Sequence, residues 1–305
     1  MLQQIKDGNI VKIEGILAEV DLEYKDFTKN NTITKAIGGV IKVRVDTVVS
    51  GAETTLEIPV HMFAAQLTNA GAPNPAYESI SRIKEEYTSI AASDIDHADR
   101  IRITRGSIQM NEYYGQDGRL ISFPRITASF VSKIKREECK PKAEFTVTFM
   151  VGKAGYEVDS DGVETDTYKI TGMVPQYGGK VDVVPFYAHN PGVIDAVSNY
   201  WQEGDTVKAT GKLNFTSETR EVETKVDFGE PTIETRTYSL SELVITGGSS
   251  TPLDGDFAIN YDDVKTALEQ RKTRLAELKE KSQNKGTSGK APAPSAGNRF
   301  KDLGF

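Results

Sequence analysis

The sequence has one cysteine, three histidines and one tryptophan in 305 residues. Because Cys139 stands alone, the chain can form no intramolecular disulfide and no cluster of thiolate metal ligands. No apolar run approaches the roughly 20 residues that cross a bilayer, and the opening MLQQIKDGN lacks the apolar segment of a secretory signal. These absences favour a cytoplasmic protein that does not contact a membrane.

Catalytic and metal-binding motifs are equally scarce. His61, His97 and His189 are separated, and none of the spacings H-x-x-E-H, C-x-x-C, G-x-x-x-x-G-K-[ST] or G-x-S-x-G occurs. The segment DSDG at 159–162 begins like a calcium loop but lacks the glutamate that completes one, so a turn is the better interpretation. We therefore expect a protein that is not an enzyme and needs no metal and no cofactor.

Charge is unevenly distributed along the chain. With 38% hydrophobic and 27% charged residues, the composition is typical of a globular protein, and the length suffices for two domains. Residues 1–140 carry 18 Lys and Arg against 19 Asp and Glu, whereas residues 141–260 carry 9 against 19. If the chain binds a polyanion, the first segment is therefore the better candidate.

The first half of the chain predicts three strands, a helix and two more strands. Apolar and polar residues alternate in 9–24, 38–48 and 54–64, whereas apolar residues recur at helical spacing in 77–91. Residues 99–114 and 119–134 then form a hairpin, because the connecting GQDG contains a strong Asp-Gly turn signal.

The second half repeats this order of elements. Strands are predicted at 143–152, 166–174 and 180–188, a helix at 191–201, and strands at 205–215 and 235–247 with a long acidic connection. Gly106 and Gly211 occupy the same place in the fourth strand of each half, where a tightly coiled strand needs a residue without Cβ.

This order predicts an all-β protein with minor α content, built from two tandem OB-fold-like Greek-key barrels. A β-sandwich is the alternative. We expect the first barrel in residues 1–137, the second in 138–252, a C-terminal helix in 253–281 and a flexible tail in 282–305, since the tail is rich in Gly, Ser, Ala and Pro.

The hairpin segment DRIRITRGSIQMNEYYGQDGRLISFPRITASFVSKI, residues 99–134, resembles single-stranded-DNA-binding proteins of bacteria and phages. EGDTVKATGKL, residues 203–213, is similar to the first half of the same pattern. The resemblance implies sequence-independent binding and protection of single-stranded DNA during replication or recombination, with a phage as the favoured source.

The C-terminal residues RFKDLGF add a second point of resemblance. Such proteins end in a tail whose acidic and apolar last residues recruit partners, and Phe300, Asp302, Leu303 and Phe305 fit that role. Arg299 and Lys301 depart from the usual acidic run. The resemblance implies recruitment of replication or recombination proteins, and homo-oligomerisation stays open.

Cations and rings in the first barrel predict the DNA-binding surface, because cations follow phosphates and rings stack on unpaired bases. Lys42 and Arg44, for example, alternate with Val43 and Val45, so one side of their strand is cationic. The candidate residues are Lys12, Tyr24, Phe27, Lys42, Arg44, Arg100, Arg102, Arg105, Tyr113, Tyr114, Arg119, Phe123 and Arg125.

The second barrel has rings but few cations, so we expect it either to use part of its surface for DNA or to contact other proteins. Two other functions fit the sequence. One is a virion structural protein of a phage tail or baseplate, and the other is a β-rich scaffold that binds no nucleic acid.

Overall fold

A computed structural model describes residues 2–29, 32–49, 52–115, 117–159, 161–224 and 232–285. In these residues, the alternating segments form eleven β-strands and the segments of helical spacing form three α-helices. In chain order the elements are β1 Asn9–Lys29, β2 Thr32–Val49, β3 Ala52–Ala65, α1 Pro75–Glu86, β4 Arg100–Tyr114, β5 Leu120–Thr127, β6 Ser132–Ile134, β7 Lys142–Val158, β8 Glu164–Gln176, β9 Lys180–Ala188, α2 Pro191–Tyr200, β10 Thr206–Thr224, β11 Thr232–Gly248 and α3 Tyr261–Lys285.

The first five strands close into a barrel. β1, β2 and β3 form an antiparallel meander, β3 then pairs in parallel with β5, and β5 pairs antiparallel with β4. β4 returns to β1, which closes the barrel. A five-stranded closed Greek key with its helix between the third and fourth strands is the OB-fold.

The second barrel repeats this topology. β7, β8 and β9 form the meander, β9 pairs in parallel with β11, and β11 pairs with β10, which returns to β7. The prediction of two tandem OB-like barrels is therefore confirmed. Two closed barrels also exclude the alternative of a sandwich, because a sandwich consists of two separate open sheets.

Each helix packs against its own barrel, α1 on β1, β2 and β3 and α2 on β9 and β11. Asn74 and Asn190 precede α1 and α2, and each side-chain carbonyl accepts a hydrogen bond from a first-turn amide of its helix. α1 buries Ile80 and Ile83 in the common core, and its Lys84 donates to the backbone carbonyl of Leu22 over 2.7 Å. This bond ties the helix to β1.

Gly106 and Gly211 lie beside irregularities in the pairing register of the fourth strands. A Cβ on Gly211 would lie 2.2 Å from the carbonyl oxygen of Val244 and 2.3 Å from the ring of Phe145. At Gly106 the nearest atom would be Cβ of Val11, at 3.2 Å. A side chain therefore clashes at Gly211 and is crowded at Gly106, as expected for a tightly coiled strand.

The two barrels share a sheet, because β1 pairs with strands of both. Residues 9–14 of β1 run antiparallel to residues 142–147 of β7, while residues 11–16 pair with β4. Two side chains of the second barrel reinforce this joint: the Gln176 amide donates to the Ile108 carbonyl over 3.1 Å, and Asp182 accepts from the Met110 amide over 2.9 Å.

α3 lies across both barrels. Its apolar residues Val264, Ala267 and Leu275 are buried, and the first two pack in a small core with Leu2, Met150, Val181 and Ile259. Arg271 and Arg274 reach the first barrel, where both form ion pairs with the 4% exposed side chain of Glu112. The helix thereby holds β4 against the second barrel.

Glu14 joins three strands at the centre of the joint. Its carboxylate lies 3.0 Å from the guanidinium of Arg102 on β4 and 2.7 Å from the ammonium of Lys142 on β7, and it accepts from the Lys140 amide over 3.2 Å. Burial raises the pKa of Glu14, but these bonds outweigh burial and lower the pKa from 4.5 to about 2. Glu14 therefore remains ionised in the folded protein.

Several sequence-based boundaries need correction. The segment 119–134, predicted as one strand, forms β5 and the separate short strand β6, and the helix predicted at 77–91 ends at Glu86. The acidic segment predicted as a long connection between the last two strands is mainly strand, since β10 extends to Thr224 and β11 begins at Thr232. Its Thr and Val residues favour extended structure. α3 also continues to Lys285, beyond the predicted end at 281. The predicted tail beyond 285 lies outside the described residues.

We predict that two substitutions of Asp182 distinguish the contribution of its hydrogen bond to the free energy of unfolding from the contribution of its charge. Burial raises the pKa of Asp182 above its usual 3.8, and the charge of Glu112 adds to this effect, so the ionised form costs stability at neutral pH. Asp182→Ala leaves the Met110 amide without an acceptor and should lower the free energy of unfolding by about 1–3 kcal/mol.

Asp182→Asn keeps an acceptor oxygen and removes the buried charge, so its stability should stay within about 1 kcal/mol of the parent. Urea denaturation at pH 7 measures both variants. Equal destabilisation by Ala and Asn would show that the charge, and not the hydrogen bond, holds the joint.

We also predict an acid-dependent contribution from Glu14. Because the pKa is about 2 in the folded protein against 4.5 when unperturbed, the stabilisation is complete above pH 4.5 and disappears as the pH falls towards 2. Glu14→Gln should lower the free energy of unfolding at pH 7 by about 1–3 kcal/mol and flatten its decline between these pH values.

Glu269→Gln is the control, because that carboxylate is 63% exposed and its ion pair within the described ranges is with Lys272. Its effect should stay below about 0.5 kcal/mol. An acid-unfolding profile of Glu14→Gln that coincides with the parent profile would contradict the assigned role of Glu14.

Candidate nucleic-acid interface

The first barrel presents one outer surface built from β2, β3, β5 and β4, which we call the front face. Buried neighbours define its direction: Ile41 and Val43 point inward on β2, and Ile58 and Val60 point inward on β3. The side chains between them therefore point outward. The front face consists of Lys42 and Arg44 on β2, Pro59, His61 and Phe63 on β3, Phe123 and Arg125 on β5, and Gln109, Asn111 and Tyr113 on β4.

Three rings lie on the front face. Phe63 is 60% exposed and Tyr113 is 39% exposed. Phe123 packs edge-on against Tyr113, with 6.3 Å between the ring centroids. Large apolar rings in contact with water are costly, so they provide flat surfaces on which unpaired bases would stack favourably.

Carboxylates partly neutralise the cations of the front face. Lys42 forms an ion pair with Glu19, which lies opposite it on β1. Arg44 lies 3.1 Å from Asp46 on its own strand. Arg125, by contrast, donates to the neutral amide oxygen of Gln109 over 3.3 Å. Arg125 is therefore the front-face cation whose charge is least compensated by these contacts.

His61 lies beside Arg125 on the front face. Burial lowers the pKa of His61, and the positive charge of Arg125 lowers it further. The imidazole is therefore neutral at pH 7, and it adds a flat polar ring to the surface rather than a charge.

Several sequence-predicted residues lie away from the front face. Arg100 is 8% exposed, and its guanidinium donates to the carbonyls of Ile95 and Ala98, so it is positioned to hold a loop. Tyr24 packs against Tyr77 of α1, with 6.3 Å between centroids, and its hydroxyl donates to Glu85.

The remaining residues predicted from the sequence lie in the β4–β5 hairpin, in β1 and in the C-terminal tail. Tyr114 alternates with Tyr113 and so lies on the opposite side of the hairpin, and Arg119 is exposed near the tip, 3.7 Å from Asp117. The Phe27 side chain lies outside the described part of the chain, as do Phe300, Asp302, Leu303 and Phe305.

A second cationic surface lies where the barrels join, and we call it the junction patch. It consists of Lys12, Arg102, Lys140, Lys142 and Lys212, with the carboxylates of Glu14, Glu138 and Glu144 among them. Four of the five cations line one cleft of about 580 Å³. Arg105, which was also predicted, is 78% exposed near this surface, 3.8 Å from Asp7.

Sequence reasoning missed five cations and aromatic rings of these two surfaces: His61, Phe63, Lys140, Lys142 and Lys212. Strict alternation in LEIPVHMFA signals the outward direction of His61 and Phe63. No local sequence pattern predicts that the three lysines belong to a cationic surface, because Lys140 precedes β7 and Lys212 lies in a barrel of net negative charge. Only the pairing of β1 with β7 brings them next to Lys12.

Among the residues that the structure describes, no group of three or more His, Cys, Asp or Glu side chains is arranged to hold a metal ion. No helix in these ranges is long and apolar enough to cross a membrane.

Two crystal structures of the single-stranded DNA binding protein from Thermus aquaticus are similar to this chain. A deletion mutant matches with 10% sequence identity and a TM-score of 0.48, over 81% of this chain and 95% of its own. The wild-type protein matches with 10% identity and a TM-score of 0.44, over 81% of this chain and 94% of its own.

No curated protein sequence matches the chain. A protein-family model, that of YorF, matches residues 7–281, which include both barrels and most of α3. The chain therefore belongs to the YorF family.

Proposed function

We propose that this protein binds and protects single-stranded DNA without sequence preference, in replication or recombination. The observation that supports this proposal best is the front face, where Phe63, Tyr113 and Phe123 lie among cations on neighbouring strands of a closed barrel. Unpaired bases expose flat apolar surfaces, and base stacking on aromatic side chains contributes about 1–3 kcal/mol per base. In duplex DNA the bases are already stacked on one another, so the same rings would add little to the affinity for a duplex.

The front face favours stacking over charge as the main source of affinity. Lys42 and Arg44 each have a carboxylate neighbour, so a phosphate must compete with Glu19 and Asp46 for these cations. Each neutralised phosphate contributes about −0.7 to the slope of log affinity against log salt for single strands. We therefore expect the salt dependence from the front face to be smaller than its number of cations suggests.

Recruitment of replication or recombination proteins by Phe300, Asp302, Leu303 and Phe305 belongs to the same proposal, as do a phage source, a cytoplasmic location and a homo-oligomer. Tail recruitment and the phage source depend on the sequence resemblance, the cytoplasmic location depends on the lack of long apolar runs, and the homo-oligomer stays open. The tail lies outside the described residues.

Titration of a fluorescent oligo-dT at several salt concentrations tests the proposal. We expect binding that weakens as salt rises and that exceeds binding of a duplex of equal length. Absence of binding at low salt would overturn the proposal and favour the structural or scaffold alternatives.

We predict that the three front-face rings carry much of this affinity. Phe63→Ala, Tyr113→Ala and Phe123→Ala together should weaken oligo-dT binding by about tenfold or more, since the variant loses stacking surfaces worth about 1–3 kcal/mol per base. The salt slope should change little, because no cation is removed. Fluorescence titration measures both quantities.

The matched control removes three exposed rings elsewhere: Tyr177→Ala, Tyr200→Ala and Tyr261→Ala, which are 86%, 53% and 64% exposed. The control should bind like the parent. Equal losses in both variants would show that the front face has no special role.

A further inference from the structure

The junction patch contains cations without carboxylate partners. In the described residues, Lys12, Lys140 and Lys212 are exposed and form no ion pair. The front-face cations Lys42 and Arg44, in contrast, are both paired. An unpaired surface ammonium binds a phosphate without first losing a protein partner, so the junction patch is better prepared for anions than the front face.

Strand register places Lys12 and Lys212 in one row. Lys12 on β1 pairs with Glu144 on β7, and Glu144 pairs with Lys212 on β10. The adjacent row of outward-facing residues, two residues further along β1, consists of Arg102 on β4, Glu14 on β1 and Lys142 on β7. Two adjacent rows therefore combine side chains from the first barrel with side chains from the second.

Within the second row, Glu14 limits what Arg102 and Lys142 can do. Its carboxylate already accepts from both, and it is only 3% exposed. Arg102 and Lys142 are thereby held in place at the edge of the cleft, with about a third of each side chain exposed. Lys12, Lys140 and Lys212 are the cations left to attract an anion.

The row of Lys12 and Lys212 continues to a ring on the second barrel. Lys212 pairs with Val244 on β11, and Val244 pairs in parallel with Tyr187 on β9. Four strand spacings of about 4.8 Å correspond to a path of about 19 Å along the curved sheet from Lys12 to Tyr187. The ammonium of Lys169 lies 5.7 Å from the centre of the Tyr187 ring and 3.0 Å from a carboxylate oxygen of Glu157. The row thus begins at unpaired lysines and ends at a ring whose neighbouring cation is paired.

The other end of the junction patch lies close to the front face. Arg44 pairs with Ile16 of β1, and Glu14 is the next outward residue on that strand. One strand spacing and two residues along the strand correspond to about 8 Å between the Cα atoms of Arg44 and Glu14. A single strand on the front face would therefore reach the junction patch without leaving the surface.

We infer that the junction patch is a phosphodiester-binding site, in which the sugar-phosphate backbone of a single strand passes from the first barrel to the second. This inference rests on the proposed function. It gives the second barrel a direct part in binding, although residues 141–260 carry 9 Lys and Arg against 19 Asp and Glu.

The excess of carboxylates in residues 141–260 does not describe the charge at the junction patch. Eleven of the 19 carboxylates belong to two sequence segments, 157–166 and 218–234. The described residues of these segments lie at or next to the ends of β7 and β10 and the starts of β8 and β11. Glu144 is the carboxylate of this barrel that lies between Lys12 and Lys212. The local balance at the junction patch is five cations against three carboxylates.

The test uses the full-length protein with Lys12→Ala, Lys140→Ala and Lys212→Ala combined. Lys265→Ala, Lys279→Ala and Lys281→Ala form the control, since these exposed lysines of α3 give the same change in net charge away from the junction. Fluorescent oligo-dT of about 8 and about 25 nucleotides serves as the probe, because one OB-fold binds about 4–16 nucleotides. Urea denaturation verifies that both variants fold.

We expect the junction variant to bind the longer oligo-dT about tenfold more weakly than the control variant, with a salt slope smaller by up to about 2. Binding of the shorter oligo-dT, which the front face can hold alone, should change less than about twofold.

Equal binding of the longer oligo-dT by the junction and control variants, with a parent that binds well, would overturn the junction site and leave the proposed function intact. A parent that binds neither oligo-dT would overturn the proposed function as well. Lys212→Ala alone gives a second measurement, because it changes only the second barrel and should by itself reduce the salt slope by up to about 0.7.

Discussion

The pairing of β1 with β7 is the interaction on which the rest of the structure depends. The first residues of β1 pair with β7 on one edge and with β4 on the other, so one strand belongs to the joint and to the first barrel together. Neither barrel can rotate without breaking main-chain hydrogen bonds of this strand. The outer surfaces of the two barrels consequently form one continuous sheet surface. On this surface Lys12 and Lys212 lie in one row, on either side of Glu144.

Three buried carboxylates stabilise this arrangement in different ways. Glu14 is ionised and accepts from groups on two other strands, while Glu112 holds two arginines of α3. Asp182 accepts a single main-chain hydrogen bond, and its pKa is raised because burial disfavours its charge. Carboxylates in this protein therefore connect elements, and counting them along the sequence overstates how strongly the surface repels a phosphate backbone.

The two surfaces of the proposed interface differ in the kind of contact they offer. The front face has exposed rings and cations that are mostly paired, whereas the junction patch has unpaired lysines, and the ring of Tyr187 lies beyond it at the end of the row of Lys12 and Lys212. Stacking needs flat apolar area, and attraction of phosphate needs uncompensated charge. The front face meets the first requirement and the junction patch meets the second. The two surfaces are about one strand spacing apart where Arg44 and Glu14 lie.

Local pattern was sufficient to predict the order of the strands, the helix positions, the crowding beside Gly106 and Gly211 and the outward direction of Lys42 and Arg44. These features follow from residue periodicity and from the space beside each residue. Only the tertiary structure decided that Arg100 is buried, that Tyr24 packs on α1, and that Lys140, Lys142 and Lys212 join Lys12. The physical reason is that alternation determines which side of a strand a residue faces, whereas its partners depend on the register of strands that are far apart in the sequence.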